Sequence, residues 1–85
     1  MSENMKPNEN QHMILKVRGY DGTIMGFRFK RNLPFKRLMM AYCERMGIDI
    51  RRVRFYFKGN CLEDTDTPIS VGMQTGDSIE TYRMR

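Results

Sequence analysis

Three stretches of this chain alternate apolar and polar side chains, and a fourth repeats at helical spacing. Met13, Leu15 and Val17 share one parity while Lys16 and Arg18 take the other, which predicts a strand over 12–18. Ile14 breaks the alternation and puts an apolar residue on the outer face. Met25, Phe27 and Phe29 then alternate with Arg28 and Lys30, predicting a second strand over 23–30. Asp21-Gly22 supplies the positive backbone angles of a hairpin turn between the two. Val53, Phe55 and Phe57 alternate with Arg54, Tyr56 and Lys58 in a third strand. Lys58-Gly59-Asn60 turns the chain into a very short fourth strand at Cys61-Leu62.

The helical stretch follows the second strand. Asn32 is the expected N-cap, and Pro34 suits a first turn, where its missing N–H costs nothing. Phe35, Met39, Tyr42, Cys43 and Met46 fall on one side, with Leu38 at the margin of the stripe. Gly47 ends the helix by accepting a left-handed conformation. Residues 63–68 read as a loop, Gly76-Asp77 as a turn, and 78–84 as a last strand with Ile79 and Thr81 inward. Residues 1–11 are polar and aperiodic, and are expected to be a disordered tail before one domain over 12–85.

A hairpin, a crossover helix and a return to the sheet make an α+β domain with one main helix on a mixed sheet. The handedness of crossovers puts the last strand beside the first, leaving the second as an open edge. An open edge needs protection or a partner. Its alternating aromatic and basic residues, next to an amphipathic helix, suit the addition of an extended acid-flanked peptide as an extra strand.

Composition narrows the classes. Eighty-five residues make one small domain, which buries about 60% of its unfolded surface. Without Trp, the core must be filled by five Phe, four Tyr and nine Met alongside the aliphatics. The formal charge of +5 favours acidic partners: peptides, phosphorylated motifs or nucleic acid. Two cysteines, Cys43 and Cys61, are too few for a disulfide framework and are expected to be buried, reduced and inert in an intracellular protein. His12 lies at the tail's edge, so no Cys–His pair or metal ligand set forms, and neither catalysis nor a cofactor is expected. No apolar run reaches the length of a membrane span.

The segments Leu15-Lys16-Val17, Asp21-Gly22, Phe27-Arg28-Phe29-Lys30-Arg31, Ala41-Tyr42-Cys43-Glu44-Arg45, Glu63-Asp64-Thr65-Asp66-Thr67-Pro68 and Gly76-Asp77-Ser78-Ile79-Glu80 resemble the small ubiquitin-like modifier (SUMO) family from about His12 to Tyr82. The resemblance implies a ubiquitin-like β-grasp in the order ββαββ, short helix, β. It further implies a monomeric, non-enzymatic tag of the nucleus and cytoplasm. Such a tag is joined to substrate lysines by activating and conjugating enzymes and is read by hydrophobic motifs with acidic flanks. Carried over by position, Phe27 and Phe29 would floor the reading groove, Leu38 would close it from the helix and Leu33 would belong to its lining. The backbone of Arg28 and Phe29 would pair with the ligand, and Lys30, Arg37 and Arg45 would meet its acidic flank. Arg54, Gly59 and Asp77 match the conjugating enzyme's surface.

Three departures from the family pattern bear on function. The sequence stops at Tyr82-Arg83-Met84-Arg85, a few residues before the family's diglycine, and the expectation is a native tail that continues further. The acidic run before the last strand is reduced to Asp77 and the nearby Glu80, which weakens the case for tight enzyme binding. Asn8 stands where a chain-forming acceptor at Lys6 would need glutamate. Two alternatives remain open on the sequence: a non-conjugating SUMO-like interaction domain, and a basic nucleic-acid-binding domain using Arg51, Arg52 and Arg54 with Tyr56. Interleaved aromatics are scarce for the latter, so a solvated basic face is the plainer reading.

Overall fold

A computed structural model of the chain describes residues 12–84, and the tail expected over 1–11 lies outside the described residues. The elements run β1 (His12–Arg18), β2 (Ile24–Lys30), α1 (Phe35–Met46), a one-turn 3-10 helix (Ile50–Arg52), β3 (Val53–Phe57), β4 (Asn60–Cys61) and β5 (Ser78–Arg83). The five strands form one mixed sheet in the order β2-β1-β5-β3-β4. β5 lies parallel to β1, with Val17 opposite Ile79, so the last strand does return beside the first. Among the described residues β2 pairs with β1 alone, from His12 opposite Lys30 to Arg18 opposite Ile24.

Strand parity sets the core. Met13, Leu15 and Val17 are buried from β1, Val53, Phe55 and Phe57 from β3, and Ile79 from β5, all facing α1. Each such side chain contributes about 1.5–3 kcal/mol by leaving water. Thr81 is buried among them without loss, because its hydroxyl donates to the Arg18 carbonyl at 2.9 Å. α1 buries Phe35, Leu38, Met39, Tyr42 and Cys43, while Met46 is only half-buried. Leu38, expected at the margin of the stripe, is therefore at its centre.

The helix start differs from the expected one. Pro34, not Asn32, occupies the N-cap, and no side chain caps it. Instead the 63–66 loop supplies carbonyls: Phe35 N–H donates to Asp66 at 2.8 Å and Lys36 N–H to Asp64 at 3.0 Å. The orphan donors of a helix N-terminus are met by remote backbone, which no local capping pattern could reveal. The C-terminus follows expectation, with Gly47 at φ 69° and Ile48 N–H donating to the Cys43 carbonyl at 2.9 Å.

Three smaller expectations are corrected. The first hairpin turns through Gly19–Thr23, with the positive φ at Gly22 and not at Asp21. The short helix expected before β5 is replaced by a run of turns over 68–72. There Val71 N–H reaches the Thr67 carbonyl, and Gly72 at φ 70° stops any continuation. The fourth strand is Asn60–Cys61, and Cys61 is exposed, not buried. Its partner across the ladder is Tyr56, so it shares the parity that faces away from α1.

Candidate functional site

The edge strand and the helix meet along Phe27. Its half-buried ring packs edge-on against Tyr42, with centroids 6.3 Å apart. The Arg45 guanidinium sits over the same ring, 5.7 Å from the centroid. Phe27, Ala41, Glu44 and Arg45 enclose an open depression of about 430 Å³. An apolar floor under a cation, beside a strand that among the described residues is unpaired on one side, can take an extended ligand with an apolar and an acidic part.

The expected lining is brought together only in part. Leu38 is 2% exposed and Phe29 6%, so neither side chain lies open at the surface. Phe29 stacks on Phe35 inside the core, because its inward parity meets the helix start directly. Leu33 is half-buried against the core, and Arg37 and Arg45 are exposed on α1. Arg28 has the opposite parity to Phe27 and Phe29 and lies opposite Ile14 on the outer face of the sheet. Successive residues of an edge strand direct their backbone groups alternately inward and outward. Arg28 and Phe29 therefore cannot both offer them to a new strand.

Ala41 and Glu44 were not singled out in the sequence. Their signal was spacing: Ala41 stands one turn before Arg45 on the same helix face, and a small residue there leaves the ring of Phe27 open from above.

The proposed enzyme surface is spread along the sheet's other face. Arg54 lies opposite Tyr82 near the end of β5, while Asp77 immediately precedes its start. Five residues of extended chain put about 17 Å between those positions. Gly59, at φ 83° in the β3–β4 turn, lies near the Asp77 end beside Ser78. Asp77 is held by its own turn, its carboxylate accepting from Gln74 N–H at 2.8 Å and its carbonyl from Lys16 N–H at 3.1 Å. Between the two ends lies a concavity of about 660 Å³ lined by Tyr56, Lys58, Gly59, Ser78, Glu80 and Tyr82.

Among known proteins, the family described as Ubiquitin-2 like Rad60 SUMO-like matches residues 13–82. The chain belongs to this SUMO-like family. It is 41% identical over 83 residues to small ubiquitin-related modifier 2 of Homo sapiens and of Gallus gallus, covering 98% of this chain and 87% of each relative. The fold is shared with Caldiarchaeum subterraneum ubiquitin, at a TM-score of 0.81 and 22% identity over 88% of this chain and 96% of that one. This is the ubiquitin-like β-grasp, and SUMO-like proteins are modifiers, not enzymes.

No group of three or more potential metal ligands occurs among the described residues. Burial raises the Cys43 thiol above its ordinary 9.0, with the Asp49 charge adding to the effect, and so keeps it protonated and unreactive. No helix among the described residues is long and apolar enough to cross a membrane.

Proposed function

We propose that the chain works as a small modifier that is read through the β2–α1 depression. An extended hydrophobic segment would lie along β2 as an added strand, with an apolar side chain on Phe27 and its acidic or phosphorylated flank toward Arg45, Arg37 and Lys30. The observation that carries this reading is the half-buried ring of Phe27 under Arg45, beside a strand paired on one side only among the described residues. Exposed ion pairs of this kind contribute about 0–1 kcal/mol each, so apolar contact and strand pairing would supply the affinity and the cations the selection.

Covalent attachment to substrate lysines would follow if the native chain continues to a diglycine. Activating and conjugating enzymes would be its partners, the latter meeting Arg54, Gly59 and Asp77, and its place would be the nucleus and cytoplasm. The 41% identity to small ubiquitin-related modifier 2 supports this part. A peptide titration tests the groove: Phe27→Ala should weaken a hydrophobic-acidic peptide at least about tenfold, since hot-spot aromatics dominate such interfaces. Arg54→Ala should leave it unchanged, and equal losses would sink the placement. Thioester formation on the activating enzyme by the full natural gene product tests conjugation.

A further inference from the structure

Folding places a second aromatic ring beside Tyr56 that no sequence spacing announces. Tyr82 of β5 faces Arg54, and Tyr56 faces Glu80, so the two tyrosines are diagonal neighbours on the sheet's outer face. Their rings meet edge to face at 5.2 Å and 88°, and Tyr82 is 55% exposed. Cations surround the pair. Arg54 stands two residues before Tyr56 on β3, Lys58 lines the same concavity from the turn after β3 with its ammonium 5.3 Å from the Phe57 ring, and Lys16 and Arg18 lie opposite Ser78 and Glu80 on β1. Outward positions in a strand repeat every ~7 Å and strands lie ~5 Å apart, which puts all four backbone positions within roughly 12 Å of the aromatic pair.

The electrostatics of this face favour an anion. The one ion pair among the described residues is Arg51 with Asp49, and it involves none of these four cations. Two carboxylates lie near them: Asp77, beside the Ser78 that faces Lys16 and accepting from Gln74 N–H at 2.8 Å, and Glu80, whose Oε1 accepts from the Tyr82 hydroxyl at 3.3 Å. Arg54 leans on the Met84 sulfur, its Nε 3.0 Å away, which holds the guanidinium against the sheet.

We propose that this outer face binds single-stranded nucleic acid, with a base on the Tyr56–Tyr82 pair and phosphates on Arg54, Lys58, Lys16 and Arg18. β3 and β5 are interior strands, each hydrogen-bonded on both sides, so an acidic peptide has no open edge to extend here. The exposed Tyr82 ring, set edge-on to Tyr56 and flanked by cations, instead suits an unpaired base and its backbone. A duplex is a poorer fit, since the face presents neither a helix nor a projecting ribbon to enter a groove. The site lies on the opposite side of the sheet from the Phe27 depression and goes beyond the modifier reading. It uses Arg54 of the proposed enzyme surface, and the concavity beside its tyrosines is lined by Gly59 of that surface, so nucleic acid and the conjugating enzyme would exclude one another there.

Fluorescence anisotropy with a labelled oligouridine RNA, at a series of salt concentrations, tests the proposal. Tyr56→Ala/Tyr82→Ala should weaken binding at least about tenfold with the salt slope unchanged, because stacking is lost while phosphate contacts stay. Tyr56→Phe/Tyr82→Phe should bind as the wild type does and controls for folding. Lys16→Gln/Arg18→Gln should reduce the salt slope by about one to two, and Phe27→Ala should have no effect. Absence of binding at low salt would overturn the proposal. So would equal affinity for a duplex of the same length, or an alanine variant bound as tightly as wild type while polyglutamate competes freely, which would mark a surface for acidic protein.

Discussion

Phe29 lies parallel to Phe35, with ring planes 3° apart and centroids 6.0 Å apart, so the last inward side chain of the edge strand is locked to the first residue of the helix. Two residues earlier, Phe27 has the same parity but meets the flank of α1 at Tyr42 and stays half open. The edge strand thus carries one structural ring and one ring available to a ligand.

Truncating the two rings should therefore have different consequences. Phe29→Ala should cost about 3–5 kcal/mol of stability, the range for removing a buried Phe. Phe27→Ala should cost clearly less and show its effect in peptide binding. Urea unfolding of both variants checks this, and similar losses of stability would contradict the division.

Gly19 is required by a close approach, not by its backbone angle. A Cβ there would lie 2.7 Å from the Tyr42 hydroxyl and 2.8 Å from an Asp21 carboxylate oxygen. Gly19→Ala should destabilise by about 1–3 kcal/mol, as overpacking does. Pairing it with Tyr42→Phe should restore part of the loss by removing the nearer atom. A double-mutant cycle in denaturant measures the coupling, and strict additivity would refute it.

Alkaline pH should loosen the core. Burial raises the pKa of both Cys43 and Tyr42 above their ordinary 9.0 and 10.0. For a group whose folded value is raised, the stabilisation is complete below the unfolded value and is lost as pH rises through the folded one. The urea midpoint should hold below pH 9.0 and fall progressively above it. Thiol labelling should modify exposed Cys61 first and Cys43 only as the protein unfolds.

Acid should act at Asp49. Its carboxylate accepts from Arg51 N–H at 2.9 Å and binds the guanidinium through both oxygens, at 3.2 and 3.0 Å, which lowers its pKa to about 2. A lowered folded value gives stability present above 3.8 and lost as pH falls through about 2. An NMR carboxyl titration should find that midpoint, and Arg51→Ala should move it back toward 3.8. An unchanged midpoint in the variant would exclude the pairing as its cause.

Period alone made most of this fold legible. The alternation of Met13, Leu15 and Val17 and of Val53, Phe55 and Phe57 marked their strands and their buried faces, and Gly47 marked the end of the helix, because side-chain parity and left-handed caps are local properties. The groove was legible only as a neighbourhood. Parity put Phe27 and Phe29 on the same face, but how much of each ring stays open depends on where the helix crosses them. Cys61 was misplaced for a related reason: a two-residue strand has too little pattern to reveal its parity until Tyr56 is seen opposite it.

What the chain determines by itself is therefore the set of elements, their inward faces and the basic rim, since each follows from residue type at spacings of two or about 3.6. Tertiary structure decided the rest: the carbonyls of Asp64 and Asp66 that cap α1, the closure of Leu38 and Phe29 into the core, and the meeting of Tyr56 with Tyr82. These join segments far apart in the chain, and their geometry comes from sheet order and helix placement, which no local periodicity encodes.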